Sequence, residues 1–123
     1  MTIYNRPLDH INLGVPNLEE AITFYTETMG FKVVNRFKGS KEFVFITDGN
    51  ITYELLENTE LENTVFGHIA YVSEDIKKDY EHFKELGIVT TELGYLDFLF
   101  DNGMYYFFIK GAGNDKIEFC QKK

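Results

Sequence analysis

The chain has 123 residues, 44% of them hydrophobic, which is enough for one compact domain or for two small modules that share a core. The net charge of −8 argues against a nucleic-acid partner and against docking on an anionic membrane, because both need clustered Lys and Arg. The single cysteine, Cys120, excludes an internal disulfide bond. There is no apolar run of membrane-spanning length and no signal-peptide pattern, so we expect a soluble cytoplasmic protein.

The N-terminal half begins with an alternating segment, HINLGV, at residues 10–15. Its apolar residues fall on one face of a predicted strand, and the opposite face carries His10 and Asn12. Asn17 then fits the N-cap of a helix that Gly30 ends. Three strand-like runs follow, at about 31–37, 41–47 and 50–57, with KGSK and TDGN as the turns between them.

The C-terminal half repeats this plan. His68 opens a second alternating segment, Asp75 takes the N-cap position, and Gly87 ends the second helix. Strands are predicted near 89–93, 95–100, 104–110 and 115–121, with DNG at 101–103 as a hairpin turn. The repeat predicts a duplication within a single domain, 1–123, whose modules are 6–57 and 64–121 and whose linker is ENTELENT.

Four potential metal ligands occupy repeat-related positions. If the apolar strand residues face the helices, His10 and His68 face the other side of the sheet, together with Glu54 in ITYEL and Glu118 in DKIEF. Nitrogen and carboxylate oxygen ligands together suit Zn²⁺, Ni²⁺, Co²⁺, Mn²⁺ or Fe²⁺. Any one of these residues alone is explained by packing or solvation, but the repeated set predicts one divalent metal ion per site.

Four segments resemble the vicinal-oxygen-chelate superfamily: DHINLGVPNLEEAITFYTETMGF, YELLE, GHIAYVSEDI and KIEFCQ. That superfamily includes glyoxalase I, methylmalonyl-CoA epimerase, extradiol dioxygenases and bleomycin- or fosfomycin-resistance proteins. The resemblance implies an α+β fold in which two βαβββ modules form an open, cup-shaped mixed sheet with the helices outside. It also implies metal ligands at His10, Glu54, His68 and Glu118, with Zn²⁺ or Ni²⁺ as the first candidates, and a cup that forms within one chain or between two. The strand edges and aromatic surface that one chain leaves exposed predict a homodimer.

The complete ligand set resembles glyoxalase I (lactoylglutathione lyase) most closely, because the epimerase typically has Gln at the position of Glu54. A glyoxalase I-like lyase isomerises the hemithioacetal of a 2-oxoaldehyde and a thiol through a metal-stabilised enediolate. Glu118 is our choice for the base and Glu54 for its pseudo-symmetric partner, and the reverse assignment stays open. Asn58 matches a thiol-contacting position, and Asn12 is a second candidate contact of the small-molecule substrate. Gly14 stands where glutathione-dependent members often carry Arg, which predicts a weak preference for glutathione.

Other functions stay open. A 2-acyl-CoA epimerase uses the same proton removal, but it needs a basic surface for the CoA phosphates, which an acidic chain does not obviously supply. A thiol transferase or dioxygenase of the superfamily uses only one carboxylate ligand. A non-catalytic drug-binding protein would use the many aromatic residues, but it has no need of four ligands. His82 is predicted to be a surface histidine, and Cys120 a buried thiol without a role.

Overall fold

The computed structural model describes residues 6–38 and 40–123, and the chain divides into two compact units. The first unit is His10–Gly67. The second unit consists of His68–Lys123 together with the described residues up to Asp9. The module bounds expected from the sequence, 6–57 and 64–121, stay a prediction.

The chain runs strand, helix and three strands, twice. The first series is β1 (Leu8–Val15), α1 (Leu18–Thr23), β2 (Lys32–Lys38), β3 (Glu42–Thr47) and β4 (Thr52–Glu57). The second series is β5 (Val65–Val72), α2 (Ile76–Glu85), β6 (Gly94–Leu96), β7 (Met104–Lys110) and β8 (Lys116–Lys122). A π-helical turn, Phe24–Thr28, continues α1. This order confirms the α+β class and the two βαβββ motifs.

Both series use the same strand pairing. In the first, β1 pairs in parallel with β4, and β4, β3 and β2 follow as antiparallel neighbours. In the second, β5 pairs in parallel with β8, and β8, β7 and β6 follow as antiparallel neighbours. The first and last long strands of each series therefore lie side by side, which brings residues that are far apart in sequence onto neighbouring strands.

Each unit buries the apolar face of its strands against its own helix. The first core contains Val15, Leu18, Phe31, Val44, Ile46 and Leu55. The second core contains Ile76, Phe107, Ile109 and Phe119, with Tyr80 and Phe83 of α2 packed against it. Burial of one such side chain contributes about 1.5–3 kcal/mol, so these faces fix which side of each strand points away from the helix.

The helix ends agree with the sequence patterns. The side chains of Asn17 and Asp75 each accept a backbone N–H three residues further on, at 3.0 and 3.2 Å, and so cap α1 and α2. Gly30 and Gly87 follow the helical segments with φ values of +77° and +76°, a conformation that glycine adopts without steric cost. Both predicted N-caps and both predicted helix stops are confirmed.

Two predicted strands are wrong. The run at 89–93 forms only an isolated bridge between Val89 and Ile109, and the run at 95–100 contributes only the end of the short strand β6. The aromatic sequence after β6 instead makes turns, with Phe100 at φ 59° and Leu99 buried. The carbonyl of Leu99 accepts the Gly103 N–H at 2.9 Å, so this segment closes on itself rather than pairing with a strand.

The predicted KGSK turn contains Gly39, which lies outside the described residues. Residues 1–5, at the N-terminal end where no signal-peptide pattern is predicted, also lie outside the described residues. Across 6–38 and 40–123, no helix has the length and apolar character that a membrane span needs. A cytoplasmic location stays a prediction.

Candidate functional site

In the first unit, His10 and Glu54 form a histidine–carboxylate pair. Nε2 of His10 lies 3.6 Å from Oε1 of Glu54. The side chain of His10 is 1% exposed and that of Glu54 is 17% exposed. The pair thus joins a buried imidazole to a carboxylate that keeps some access to solvent.

The strand register explains this pairing. β1 and β4 run parallel with Asn12 opposite Glu54, so His10 is two residues from the direct partner and on the same face. Such diagonal neighbours are within reach of long side chains. Leu55, the residue after Glu54, points to the opposite face and is fully buried in the core. Packing of the core therefore fixes the face on which the pair stands.

The second unit repeats the arrangement with His68 and Glu118. Nε2 of His68 lies 2.9 Å from Oε1 of Glu118, and the two side chains are 13% and 6% exposed. β5 and β8 run parallel with Ala70 opposite Glu118, so His68 is again two residues from the direct partner. The two pairs consequently occupy the same register positions in their respective units.

Each imidazole also meets a phenylalanine ring from a third strand. The ring of Phe45 on β3 is edge-on to His10 with centroids 5.2 Å apart, and the ring of Phe108 on β7 is edge-on to His68 at 5.0 Å. Phe45 pairs directly with Glu54, and Phe108 with Glu118. The sequence interpretation did not single out Phe45, although its even spacing from Phe43 and Phe37 along the hairpin was a usable signal.

The donor atoms fit a divalent metal ion. Two ligands bound at about 2.1 Å to one tetrahedral ion stand about 3.4 Å apart. The nitrogen–oxygen separations of 3.6 Å and 2.9 Å are close to that value. A site with imidazole nitrogen and carboxylate oxygen ligands suits divalent ions such as Zn²⁺ and the first-row transition metals. Ca²⁺ and Mg²⁺ prefer oxygen ligands alone. That both pairs bind the same ion stays a prediction.

The two asparagines expected near the substrate lie in different surroundings. Asn12 is buried on β1, and its Nδ2 donates a hydrogen bond of 2.8 Å to Oε1 of Glu54. Asn58 is exposed in the turn after β4, where its Oδ1 accepts the Glu60 N–H at 3.1 Å. The structure therefore joins Asn12, but not Asn58, to a predicted ligand, and a substrate contact of either residue stays a prediction.

The remaining histidine is His82, and the single cysteine is Cys120. His82 is half-buried on α2 beside the ring of Phe83. Cys120 is 1% exposed, and its Sγ donates to the Tyr71 carbonyl at 3.7 Å. Burial, together with the carboxylates of Asp9 and Glu118, raises the pKa of the Cys120 thiol well above its usual value. A thiol that stays protonated is a poor nucleophile, which agrees with the absence of a predicted role.

Solved structures resemble this chain along almost its whole length. The hypothetical protein BH1468 from Bacillus halodurans C-125 is 22% identical with a TM-score of 0.78, over 98% of this chain and 96% of that one. Methylmalonyl-CoA epimerase from Mycobacterium tuberculosis is 15% identical with a TM-score of 0.78, over 95% and 88%. A variant of the Streptomyces coelicolor methylmalonyl-CoA epimerase in complex with 2-nitronate-propionyl-CoA is 19% identical with a TM-score of 0.79, over 95% and 97%. These likenesses confirm the predicted fold.

Sequence comparison identifies the family. The Uncharacterized protein YwbC of Bacillus subtilis (strain 168) is 31% identical over 126 aligned residues, which cover 94% of this chain and 97% of that protein. The family described as Glyoxalase/Bleomycin resistance protein/Dioxygenase superfamily matches residues 7–108. This chain belongs to the glyoxalase/bleomycin resistance protein/dioxygenase superfamily.

Proposed function

We propose that this protein is a metal-dependent enzyme that removes and returns a proton at the carbon next to a substrate carbonyl. The observation that carries this proposal is the repeated histidine–carboxylate pair. His10 with Glu54 and His68 with Glu118 occupy matching register positions, and each pair has ligand-like separations. Proteins of this superfamily often bind a divalent metal, which agrees with the donor atoms of both pairs.

In this proposal the four residues hold one divalent ion, either within one chain or across two copies of it. Zn²⁺ and Ni²⁺ are the first candidates, and Co²⁺, Mn²⁺ and Fe²⁺ remain alternatives. A divalent ion held there would supply a Lewis acid for the negative charge that develops on the substrate oxygen when the neighbouring carbon loses its proton. The chain contributes the binding groups, the base and the exclusion of water.

Glu118 is the proposed base. Its side chain is only 6% exposed, and the ring of Phe108 lies on the neighbouring strand, so water has little access to this carboxylate. A carboxylate in such surroundings can take a proton from the adjacent substrate carbon and hold it until it is returned. Edge-on packing of Phe108 against His68 also restrains the imidazole next to it.

For the substrate we favour a 2-substituted acyl-CoA. Its epimerisation needs Glu118 to take the proton from one face of the carbon and a second donor, a side chain or a water molecule, to deliver a proton to the opposite face. The methylmalonyl-CoA epimerases named above support this choice through their likeness in fold. The second unit also has a groove of about 290 Å³ at the start of α2, lined by Lys77, Lys122 and Lys123 and by one acidic residue, Asp75. Three lysines in one groove are a suitable surface for CoA phosphates in an otherwise acidic chain.

A second candidate is the isomerisation of a hemithioacetal, in which the proton returns one atom away. Glu54 favours this reaction, because the epimerases typically have Gln at that position and glyoxalase I has a carboxylate. Gly14 argues against glutathione as the thiol. A Cβ at Gly14 would already lie 3.1 Å from Val65 and 3.2 Å from Leu61, so an arginine side chain has no room there without displacing both.

Deuterium exchange at the substrate carbon tests the proposed proton removal, because it reports that step whichever product the enzyme releases. Metal-loaded protein in D₂O should place deuterium at C2 of methylmalonyl-CoA, and Glu118→Gln should slow this exchange by about 10²–10⁴-fold. Glu57→Gln is the matched control, since Glu57 on the same strand as Glu54 accepts the Leu18 N–H at 2.9 Å and an amide oxygen preserves that bond. Its exchange rate should equal that of the wild type.

The second assay offers the protein hemithioacetals of methylglyoxal with several thiols, glutathione among them, and measures thioester formation. Thioester formation without exchange into the acyl-CoA would favour the isomerase. If neither substrate reacts with any of the candidate metals and an aromatic compound binds tightly, the protein is a non-catalytic binder and the proposal is wrong.

A further inference from the structure

The hydrogen bond between Asn12 and Glu54 makes the surroundings of Glu54 different from those of Glu118, the other carboxylate of the site. Nδ2 of Asn12 donates to Oε1 of Glu54 at 2.8 Å. The two residues face each other directly in the parallel pair of β1 and β4. Asn12 is 8% exposed, so few water molecules compete for this hydrogen bond.

Gly67 makes room for the Asn12 side chain. A Cβ added at Gly67 would overlap Oδ1 of Asn12 and lie 3.0 Å from its Cγ. The amide is therefore confined between Gly67 on one side and the carboxylate of Glu54 on the other. Any larger residue at position 67 has to displace the amide from its hydrogen-bonding position.

The second unit has an alanine at the equivalent register position. Its residue at the register position of Asn12 is Ala70, which lies directly opposite Glu118 in the pair of β5 and β8. Ala70 is fully buried and has no polar side-chain atom, so its side chain cannot donate a hydrogen bond as that of Asn12 does. The repeat is symmetric in its histidines and carboxylates but asymmetric at this one position.

We propose that Asn12 is a positioning residue for Glu54. It holds the carboxylate of Glu54 in place as a metal ligand throughout the reaction, and it thereby leaves Glu118 as the carboxylate that accepts the substrate proton. The inference rests on the proposed function, because it assigns roles within that site. Carboxylate ligands are commonly held by such outer hydrogen bonds, whose removal weakens metal binding by about 10–100-fold.

The first test separates metal affinity from turnover. Asn12→Ala should weaken metal binding by about 10–100-fold, whereas kcat at saturating metal should stay within about threefold of the wild type. Asn12→Asp keeps the shape of the side chain but replaces the donor by a like charge, so it should bind metal at least as poorly. Glu118→Gln should lose most of its kcat even at saturating metal, while its amide oxygen can still coordinate an ion. Asn50→Ala, in the exposed turn before β4, is the matched control and should change neither quantity.

Gly67→Ala tests the same contact from the other side. It should reproduce the loss of metal affinity, and it should add little to Asn12→Ala, because the two changes remove one hydrogen bond. Likewise, Asn12→Ala should have little effect in a Glu54→Gln background if Asn12 acts through Glu54. Additive losses in these pairs would overturn the positioning role, even if each single variant is weakened.

A spectroscopic test needs no metal. The side-chain NH₂ resonances of Asn12 in metal-free protein should shift in Glu54→Ala and stay in place in Glu118→Ala. Unchanged Asn12 resonances in Glu54→Ala would overturn the inference. Metal affinity in Asn12→Ala equal to that of a metal-binding wild type would overturn it as well, while the proposed function would stand. A wild type that binds no divalent ion contradicts the proposed function and removes the ligand role of Glu54 with it.

Discussion

Oε1 of Glu118 lies 2.9 Å from Nε2 of His68, and both side chains are largely shielded from solvent. This short separation leaves little tolerance for moving the carboxylate. Glu118→Asp keeps the charge but withdraws the carboxylate by the length of one methylene, about 1.5 Å. A displacement of about 1 Å can cost 10²-fold in rate, so we expect a loss of that order in kcat.

Steady-state kinetics of Glu118→Asp with saturating metal checks this expectation. Glu118→Gln is the companion variant, because it keeps the length and removes the basicity. If the aspartate variant reacts as fast as the wild type while the glutamine variant is inactive, the position of the carboxylate does not limit the reaction and the close geometry has no catalytic importance.

A partly buried ion pair between Arg6 and Asp79 affects stability rather than chemistry. The guanidinium donates to both carboxylate oxygens at 2.5 and 2.6 Å, and Ser73 donates to Oδ2 at 2.5 Å. Burial alone would raise the pKa of Asp79, but the hydrogen bonds from Arg6 and Ser73 outweigh it and hold the pKa below its ordinary value of 3.8. Asp79→Asn should lower the free energy of unfolding at pH 7 by about 2–3 kcal/mol, because it leaves a partly buried guanidinium without its counter-charge.

The pH dependence follows from the lowered pKa of Asp79. Its contribution to stability is fully present above pH 3.8 and is lost as the pH falls through the lower, folded-state value. Urea denaturation should therefore show a difference between wild type and Asp79→Asn that shrinks below pH 3.8. The exposed Asp97→Asn should differ from wild type by less than about 0.5 kcal/mol at either pH. A gap for Asp79→Asn that widens in acid would contradict the assignment.

The thiol of Cys120 should be unreactive in the folded protein. It is buried, and burial raises its pKa, so the thiolate that reacts with a disulfide reagent is scarce at pH 8. Ellman's reagent should label the native protein far more slowly than the protein in guanidinium chloride. Equal labelling rates in the two states would show that the Cys120 thiol is accessible and reactive in the folded protein, and would contradict this prediction.

The homodimer expected from the sequence stays a prediction. The first unit exposes apolar side chains on β2 and beside it, among them Val33 at 47%, Val34 at 50% and Met29 at 54%. Light scattering at micromolar concentration should give twice the chain mass of 14.4 kDa. A mass of one chain would exclude the dimer, and a cup built from two copies with it.

Local patterns were sufficient for most of the fold. Alternation in HINLGV and GHIAYV, caps at Asn17 and Asp75, and stops at Gly30 and Gly87 all depend on residues close in sequence. The aromatic residues between 97 and 100 favour β-structure and so predict a strand there, whereas the structure makes turns. Burial of Leu99 and the left-handed conformation of Phe100 are determined by the surrounding structure, which local propensity does not register.

Part of the candidate site could also be predicted from the sequence. Strand parity predicted that His10 and Glu54 share a face, and the structure brings them to 3.6 Å. The hydrogen bond from Asn12 to Glu54 could not be predicted from the sequence. It depends on the register between two parallel strands, and the two residues are 42 positions apart in the chain. A one-residue shift in that register would place Asn12 opposite an apolar core residue instead.

Metal content tests the central claim, that His10, Glu54, His68 and Glu118 bind one divalent ion. Elemental analysis should find about one ion per site in the wild type, and each of His10→Ala and His68→Ala should lose most of it, since three ligands leave the geometry and charge incomplete. His82→Ala, which changes the third histidine of the chain, should retain the full content. Equal metal content in His68→Ala and the wild type would contradict the account.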